Sequence, residues 1–162
     1  MTAYLLFKAL HVLSAMVVFG TGVGIAWYAL RGWLSDDVHI MRWVSAETVL
    51  ADWVFTSIAI ALLLFSAGGM VFASPTLLDA GWLRASVLLT ALVFCLWLPV
   101  LGIQYKLRAR LDSAGREKQG SESGPRPGAA TQRLALYWCL LGAAALPLMI
   151  AIVFLMVLKP AL

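Results

Sequence analysis

The sequence has few charged side chains and few cysteines, and it lacks the common motifs of soluble enzymes. Only 12% of its 162 residues are charged and 62% are apolar, whereas soluble domains have about 25% charged and about 45–50% apolar residues. This scarcity of charge indicates that most of the protein surface faces hydrocarbon. Cys95 and Cys139 lack the spacing of a zinc site or a disulfide framework. We find no Gly-rich phosphate loop, catalytic triad or paired carboxylates, so the sequence leaves enzymatic activity undecided.

Long apolar runs are what the sequence does contain, and there are four of them, at 4–30, 49–73, 82–104 and 134–158. Each run exceeds the roughly 20 residues needed to cross a hydrocarbon core of about 30 Å. A backbone in hydrocarbon must satisfy its own hydrogen bonds, which helices do. The sequence therefore predicts an all-α, up-and-down bundle of four transmembrane helices, forming one domain over 1–162. A cleavable signal peptide fits the first run poorly, because the run contains Lys8 and continues past signal length.

Lysine and arginine are distributed unequally between the two ends of the predicted bundle. Nine of the twelve lie in or beside the first and third loops: Arg31, Arg42, Lys106, Arg108, Arg110, Arg116, Lys118, Arg126 and Arg133. The opposite end has Lys8, Arg84 and Lys159. Because short loops rich in these residues stay in the cytoplasm, we expect both termini on the outer, periplasmic side of a bacterial inner membrane.

The third loop and its flank predict contact with the membrane surface. Residues 114–131 are polar and rich in Gly, Ser and Pro, which is typical of a disordered linker. Lys106, Arg108 and Arg110 precede the linker and suit anionic lipid headgroups, at about 1 kcal/mol each. We therefore interpret the net charge of +4 as membrane contact, with no nucleic-acid partner.

The first loop and the first span carry local signals of helix ends and of helix packing. Ser35, Asp36 and Asp37 are good N-cap residues, so a helix beginning there would run through Trp43 into the second span. Gly20 and Gly24 form a GxxxG pattern, which allows close packing of helices in lipid. The pattern does not decide between another span and a second subunit as the partner; we expect a homo-oligomer.

Ionisable groups within spans are costly and need a partner or a function, and the first group of them lies toward the outer face. Lys8 and His11 share one helical face. Neutral imidazole binds haem iron, so His11 is a candidate ligand for haem b or a hydrogen-bond donor to a quinone. By depth, its neighbours would come from this set: Ser66, Met70, Arg84, Thr90, Met156 and, at the rim, Lys159.

Each of those neighbours would have a defined role in such a site. Met70 or Met156 would supply a second ligand, and the basic residues would hold propionates or another anion. No second histidine lies in a span, so bis-histidine ligation would need two subunits. The alternative interpretation of His11 is a neutral ring that hydrogen-bonds across helices.

A second polar group is predicted at the inner face. Asp52 lies near the start of the second span, and Gln104 lies at the same depth at the end of the third. Asp52 either joins an interfacial network with Arg31 or Arg42, bonds to Gln104, or serves as a proton entry or binding point.

Four blocks of sequence resemble a known bacterial family. They are YLLFKALHVLSAMVVFGTGVGIAWY, VLADWVFTS, WLPVLGIQYKLR and FLMVLKP, and together they span residues 4–160. They resemble predicted integral membrane proteins catalogued as domain-of-unknown-function family twenty-two sixty-nine, which implies a four-helix inner-membrane protein without an assigned activity. The resemblance implies that these positions recur: Lys8, His11, Gly20, Gly22, Asp52, Trp97, Pro99, Gln104, Lys159 and Pro160.

The Lys-x-x-His opening also looks distantly like other membrane families. These include the haem-binding protoporphyrinogen oxidase of bacteria and copper-resistance membrane proteins. Those families carry further histidines in later helices, and this chain does not.

Three hypotheses for function follow. The first is a redox-associated protein that binds haem or quinone near His11. The second is a structural or accessory subunit without a cofactor. The third is a small transporter or ion pathway that uses Asp52.

Overall fold

The protein consists of long helices joined by short connections, as a computed structural model describes it for residues 2–35, 37–117 and 127–161, with backbone only for 115–117. The helices are α1 (Thr2–Leu34), α2 (Val38–Ala51), α3 (Ile58–Ala73), α4 (Gly81–Glu117) and α5 (Ala129–Leu158). A π-helical segment (Asp52–Ser57) joins α2 to α3, and a short 3-10 helix (Pro75–Asp79) joins α3 to α4. Four helical stretches are long and apolar enough to cross a membrane, which confirms the predicted all-α bundle of four spans.

The helices are longer than the predicted spans. At 1.5 Å per residue, the 37 residues of α4 extend for about 55 Å, well beyond a hydrocarbon core of about 30 Å. Its extension carries Lys106, Arg108 and Arg110, all exposed. Helix α4 includes 114–117 and α5 begins at Ala129, so both ends of the predicted linker at 114–131 are helical. The middle of that linker, 118–126, lies outside the described residues.

The second span begins in the first loop, as the N-cap residues predicted. Asp37 caps α2, and its carboxylate accepts a hydrogen bond from the His39 N–H at 2.7 Å. Asp36 lies outside the described residues. From Val38 the chain stays helical to Ala73, with the π segment as the one departure from α geometry in this stretch.

The two ends of the bundle pack differently, and we name them by what they contain. The linker-side half holds the connections α1–α2 and α4–α5; the terminal-side half holds both chain termini. All the buried apolar clusters of the described residues lie in the linker-side half, where α1, α2, α4 and α5 converge. Their members are Ile25, Ala29, Val38, Met41, Val44, Leu107, Leu111, Ala135 and Trp138.

In the terminal-side half the helices pair off, α1 with α3 and α4 with α5. Within the described residues, no Cα atom of α3 comes within 8 Å of one in α4 or α5. The buried positions here are small: Ser14, Ala59, Ser66 and Ser86. Small side chains let helix backbones approach closely in lipid, so this half is held by close pairing and not by an apolar core.

The glycines that mark close approach are not the ones that the GxxxG pattern predicted. A Cβ atom built on Gly20 or Gly24 would meet nothing within 4 Å, whereas one on Gly69 would lie 2.5 Å from the Phe7 ring. A Cβ on Gly32 would lie 3.1 Å from the Val44 side chain. Gly20 and Gly24 therefore mark no contact between the helices that the structure describes. Their contact with a second copy stays a prediction.

Candidate functional site

His11 ties α1 to α3. Its Nδ1 lies 3.1 Å from the Leu63 carbonyl oxygen and 3.2 Å from the Ser66 hydroxyl oxygen. The Ser66 hydroxyl donates its hydrogen to the Leu63 carbonyl at 2.9 Å, so it is not free to donate to His11. Because a carbonyl oxygen only accepts, Nδ1 is assigned as the protonated nitrogen, which donates to the Leu63 carbonyl. This is the interhelical bond of the alternative interpretation of His11, and Ser66 is the neighbour expected from its depth.

Among the described residues, the hydrogen bonds of His11 go to Leu63 and Ser66 and to none of the other residues predicted around it. Lys8 is exposed, and Met70 lies one turn beyond Ser66, level with the contact between Gly69 and Phe7. The Arg84 guanidinium donates to the Asp79 carbonyl at 3.3 Å.

Lys159, predicted at the rim of the His11 site, contacts an aromatic ring of α4 instead. The Lys159 ammonium lies 5.5 Å from the centre of the Trp82 ring, in a cation–π contact that joins the end of α5 to the start of α4. Among the described residues, no three His, Cys, Asp or Glu side chains form a group suited to a metal ion. The hydrogen bonds of His11 itself are those that join α1 to α3.

Asp52, from the second predicted polar group, occupies the first position of the π segment. Its side chain is buried, with 6% of its surface exposed. One carboxylate oxygen accepts a hydrogen bond from the Thr56 hydroxyl at 2.9 Å, and the Gln104 amide lies beside the carboxyl group. The predicted proximity of Asp52 and Gln104 is thus present. The Ser57 hydroxyl donates to the Asp52 carbonyl at 2.9 Å, a bond that the wider π turn accommodates.

The predicted ionic network of Asp52 is absent from the described residues. Arg42 pairs instead with Asp112, with 2.5 Å between Nε and the carboxylate oxygen. Arg42 precedes Asp52 by ten residues, about 15 Å along a helix, which explains why the two do not meet. Among the described residues, no Lys or Arg nitrogen lies within 4.0 Å of the Asp52 carboxylate, Arg31 included.

A cavity of about 250 Å³ opens beside this carboxylate, between the π segment and α4. Aromatic rings form much of its wall, and Asp52, Ser57 and Gln104 add polar groups. The rings belong to Trp53, Trp97 and Tyr105. The Trp53 indole N–H donates to the Tyr105 hydroxyl at 2.5 Å, which joins two walls of the cavity.

The cavity lies at the lipid-facing surface of the bundle. Trp53 is 64% exposed and Tyr105 is 46% exposed, as an aromatic belt at the interface would require. Trp97, Leu101 and Tyr105 follow one another at four-residue spacing along α4, and Arg108 continues this face one turn further. An exposed guanidinium therefore stands beyond the cavity on its linker side.

This arrangement has the chemistry of a site for an organic cation. A carboxylate without a basic partner attracts a positive charge, and aromatic faces attract it through the ring quadrupole. The sequence predicted the polar pair but not the cavity. The available signal was that an aromatic residue directly follows each polar one, Trp53 after Asp52 and Tyr105 after Gln104.

Comparison with known sequences assigns the chain to a family. The sequence profile of the family described as "Predicted integral membrane protein (DUF2269)" matches residues 5–160. The chain belongs to this family. That membership and the four spans identify it as a multi-pass integral membrane protein, and the family description gives no activity. No curated protein and no solved structure matches the chain.

Proposed function

We propose that the protein binds an amphiphile with an ammonium head and an apolar tail, at the linker-side interface of the bacterial inner membrane. The observation that carries the proposal is the buried Asp52 carboxylate, which lacks a basic partner among the described residues and borders an aromatic cavity of about 250 Å³. An ionisable group inside a membrane protein is by default a candidate for function.

Electrostatics favours an ammonium group as the occupant. The buried Asp52 carboxylate has lost its hydration, and the neutral groups of Thr56 and Gln104 beside it supply hydrogen bonds but no counter-charge. An ammonium group in the cavity would supply that charge. The rings of Trp53, Trp97 and Tyr105 would add about 0.5–1 kcal/mol each, the range for exposed sites, since Trp53 and Tyr105 are exposed.

The position of the cavity favours an amphiphile over a fully water-soluble amine. Trp53 and Tyr105 are exposed to lipid, so an apolar tail leaving the cavity would remain in hydrocarbon. Arg108, on the same α4 face, would meet the phosphate of an aminophospholipid. Two sources of the ammonium head are therefore compatible with the site, namely an aminophospholipid and a free hydrophobic amine.

Native mass spectrometry of the full-length protein tests the proposal. Protein released from nanodiscs of phosphatidylethanolamine and phosphatidylglycerol should retain phosphatidylethanolamine, and dodecylamine should displace it. Asp52→Asn should lower the affinity for both amines by about thirtyfold, equivalent to about 2 kcal/mol, because it removes the charge that the ammonium meets.

Two further variants separate the sources and control for charge. Arg108→Gln should weaken phosphatidylethanolamine only, since dodecylamine has no phosphate. If dodecylamine alone binds, the ligand is a free amine. Glu47→Gln removes an exposed charge from α2 and should change neither affinity. Equal retention of phosphatidylglycerol, or unchanged binding after Asp52→Asn, would overturn the proposal.

The three hypotheses drawn from the sequence have less support. For haem or quinone near His11, one imidazole nitrogen already bonds to α3. Arg84 lies on α4, and among the described residues no Cα atom of α4 comes within 8 Å of one in α1. An accessory subunit without any ligand leaves unexplained why the buried Asp52 has no basic partner among the described residues. For a transporter, flux of the amine into proteoliposomes that depends on Asp52 would extend the proposed function from binding to transport.

A further inference from the structure

A second and smaller cavity lies in the linker-side half, between α1, α2, α4 and α5. Its volume is about 30 Å³, above the roughly 10–15 Å³ that a cavity needs to hold a water molecule. Its polar wall consists of Ser45, Thr48, Gln104 and the indole of Trp138. It therefore has both the size and the polarity to hold a single water molecule.

Trp138 provides the independent observation that something polar belongs there. The residue is 9% exposed, and its indole N–H is buried without any acceptor among the described residues. Nearly all buried donors in proteins have a partner, either protein or ordered water. Because Trp138 also lines this cavity, its unpaired donor points to a ligand there that accepts a hydrogen bond.

Gln104 provides the other side of the same site. Its side chain borders both this cavity and the larger one, and it is 5% exposed. Its amide has an acceptor oxygen as well as two donor hydrogens, so the amide that lies beside Asp52 can also take part in the smaller cavity. Thr48 adds a hydroxyl at the wall. Together these groups meet the two to four partners that a buried water requires.

We propose that this cavity binds one structural water, which accepts from the Trp138 N–H and donates to the Gln104 carbonyl oxygen. The direction of these hydrogen bonds, from Trp138 through the water and Gln104 to Asp52, is fixed at both ends, because an indole only donates and a carboxylate only accepts. The water thereby holds Gln104 with its N–H₂ group toward Asp52. The water site itself does not depend on which ligand, if any, occupies the larger cavity.

X-ray hydroxyl footprinting of the full-length protein in nanodiscs tests the water site without any ligand. Hydroxyl radicals formed from bound water label adjacent side chains. We expect Trp138, normalised to its labelling in the denatured chain, to be labelled about threefold or more faster than Ile25. Ile25 is the matched reference, since it has the same 9% exposure and lies in the apolar cluster.

Substitutions at the cavity wall decide whether the labelling comes from this water. Gln104→Leu removes the acceptor at similar volume and should bring Trp138 down to the normalised rate of Ile25. Thr48→Val removes a hydroxyl and keeps the shape of the side chain, so it should also reduce the labelling of Trp138. It serves as the test if Gln104→Leu does not fold. Leu107→Met changes an apolar wall residue and should leave it unchanged. Trp138 labelling no faster than that of Ile25, or unchanged by the polar substitutions, would overturn the proposal.

Discussion

The two halves of the bundle differ in how their helices pack and in what their ionisable residues contact. In the linker-side half four helices converge on buried apolar clusters, and both cavities lie there with Asp52 and Gln104. In the terminal-side half the helices separate into pairs held by serines, glycine and the bond from His11 to α3. The comparison teaches that an ionisable residue within a span acts according to its packing: His11 is used to join helices, and Asp52 faces a cavity.

The largest expected effect is the loss of a buried side chain from the linker-side half. Leu111 is 1% exposed and packs with Val38 and Met41, so Leu111→Ala should lower the free energy of unfolding by about 3 kcal/mol through the cavity it leaves. Leu64 is exposed to lipid, and Leu64→Ala should cost below about 1 kcal/mol. Denaturant titration in bicelles measures both, and equal losses would remove the distinction between the halves.

The next effect concerns the pairing of α1 with α3. Gly69→Ala forces a methyl group toward the Phe7 ring, and we expect a loss of about 2 kcal/mol in unfolding free energy because the pair must move apart. Gly20→Ala is the matched control and should be close to neutral, since its Cβ has open space. A neutral Gly69→Ala would show that this pair is not closely packed.

A smaller effect is expected at the bond between His11 and α3. His11→Leu should destabilise the protein by about 1 kcal/mol, because interhelical hydrogen bonds in membranes contribute about that much. His11→Asn can place a donor near the position of Nδ1 and should recover part of the loss. Faster hydrogen exchange of the α3 amides around Leu63 in His11→Leu is the measurement. Unchanged exchange would mean that the bond does not hold α3. Amine binding at Asp52 should remain unchanged in both variants.

The smallest effect belongs to the ion pair at the linker-side end. The side chains of Arg42 and Asp112 are 41% and 34% exposed, so solvent and salt screen them and the pair should contribute below about 1 kcal/mol. A double-mutant cycle of Arg42→Gln with Asp112→Asn measures this coupling. A coupling that persists in high salt would indicate a pair more buried than the geometry gives.

The spans, the cap at Asp37 and the common depth of Asp52 and Gln104 could be predicted from the sequence, because hydropathy and helix rise determine them. Which face of a span packs could not be predicted. Ile25 is 9% exposed and Val23 is 45% exposed, yet both are branched apolar residues of the first span. In hydrocarbon an apolar side chain is suited to lipid and to protein alike.

The cavities could not be predicted from the sequence either, because they depend on which faces of the helices meet. The larger one depends on the relative rotation of the π segment and α4, and the smaller one on where Trp138 of α5 meets Gln104. The prediction that Arg42 pairs with Asp52 was wrong, because Arg42 lies ten residues away on the same continuous helix and pairs with Asp112 on α4. The depth of a residue was predictable, whereas the identity of its neighbour was not.

The central claim is that Asp52 holds an ammonium head group, and solid-state NMR can measure that contact directly. Protein carrying ¹³C-labelled aspartate would be studied with ¹⁵N-labelled phosphatidylethanolamine or dodecylamine in the membrane. We predict a dipolar contact between an aspartate carboxyl carbon and the amine nitrogen at about 4 Å, the range of a salt bridge, and its loss in Asp52→Asn. A contact that persists in Asp52→Asn, or no contact in the unsubstituted protein with either amine, would contradict the claim.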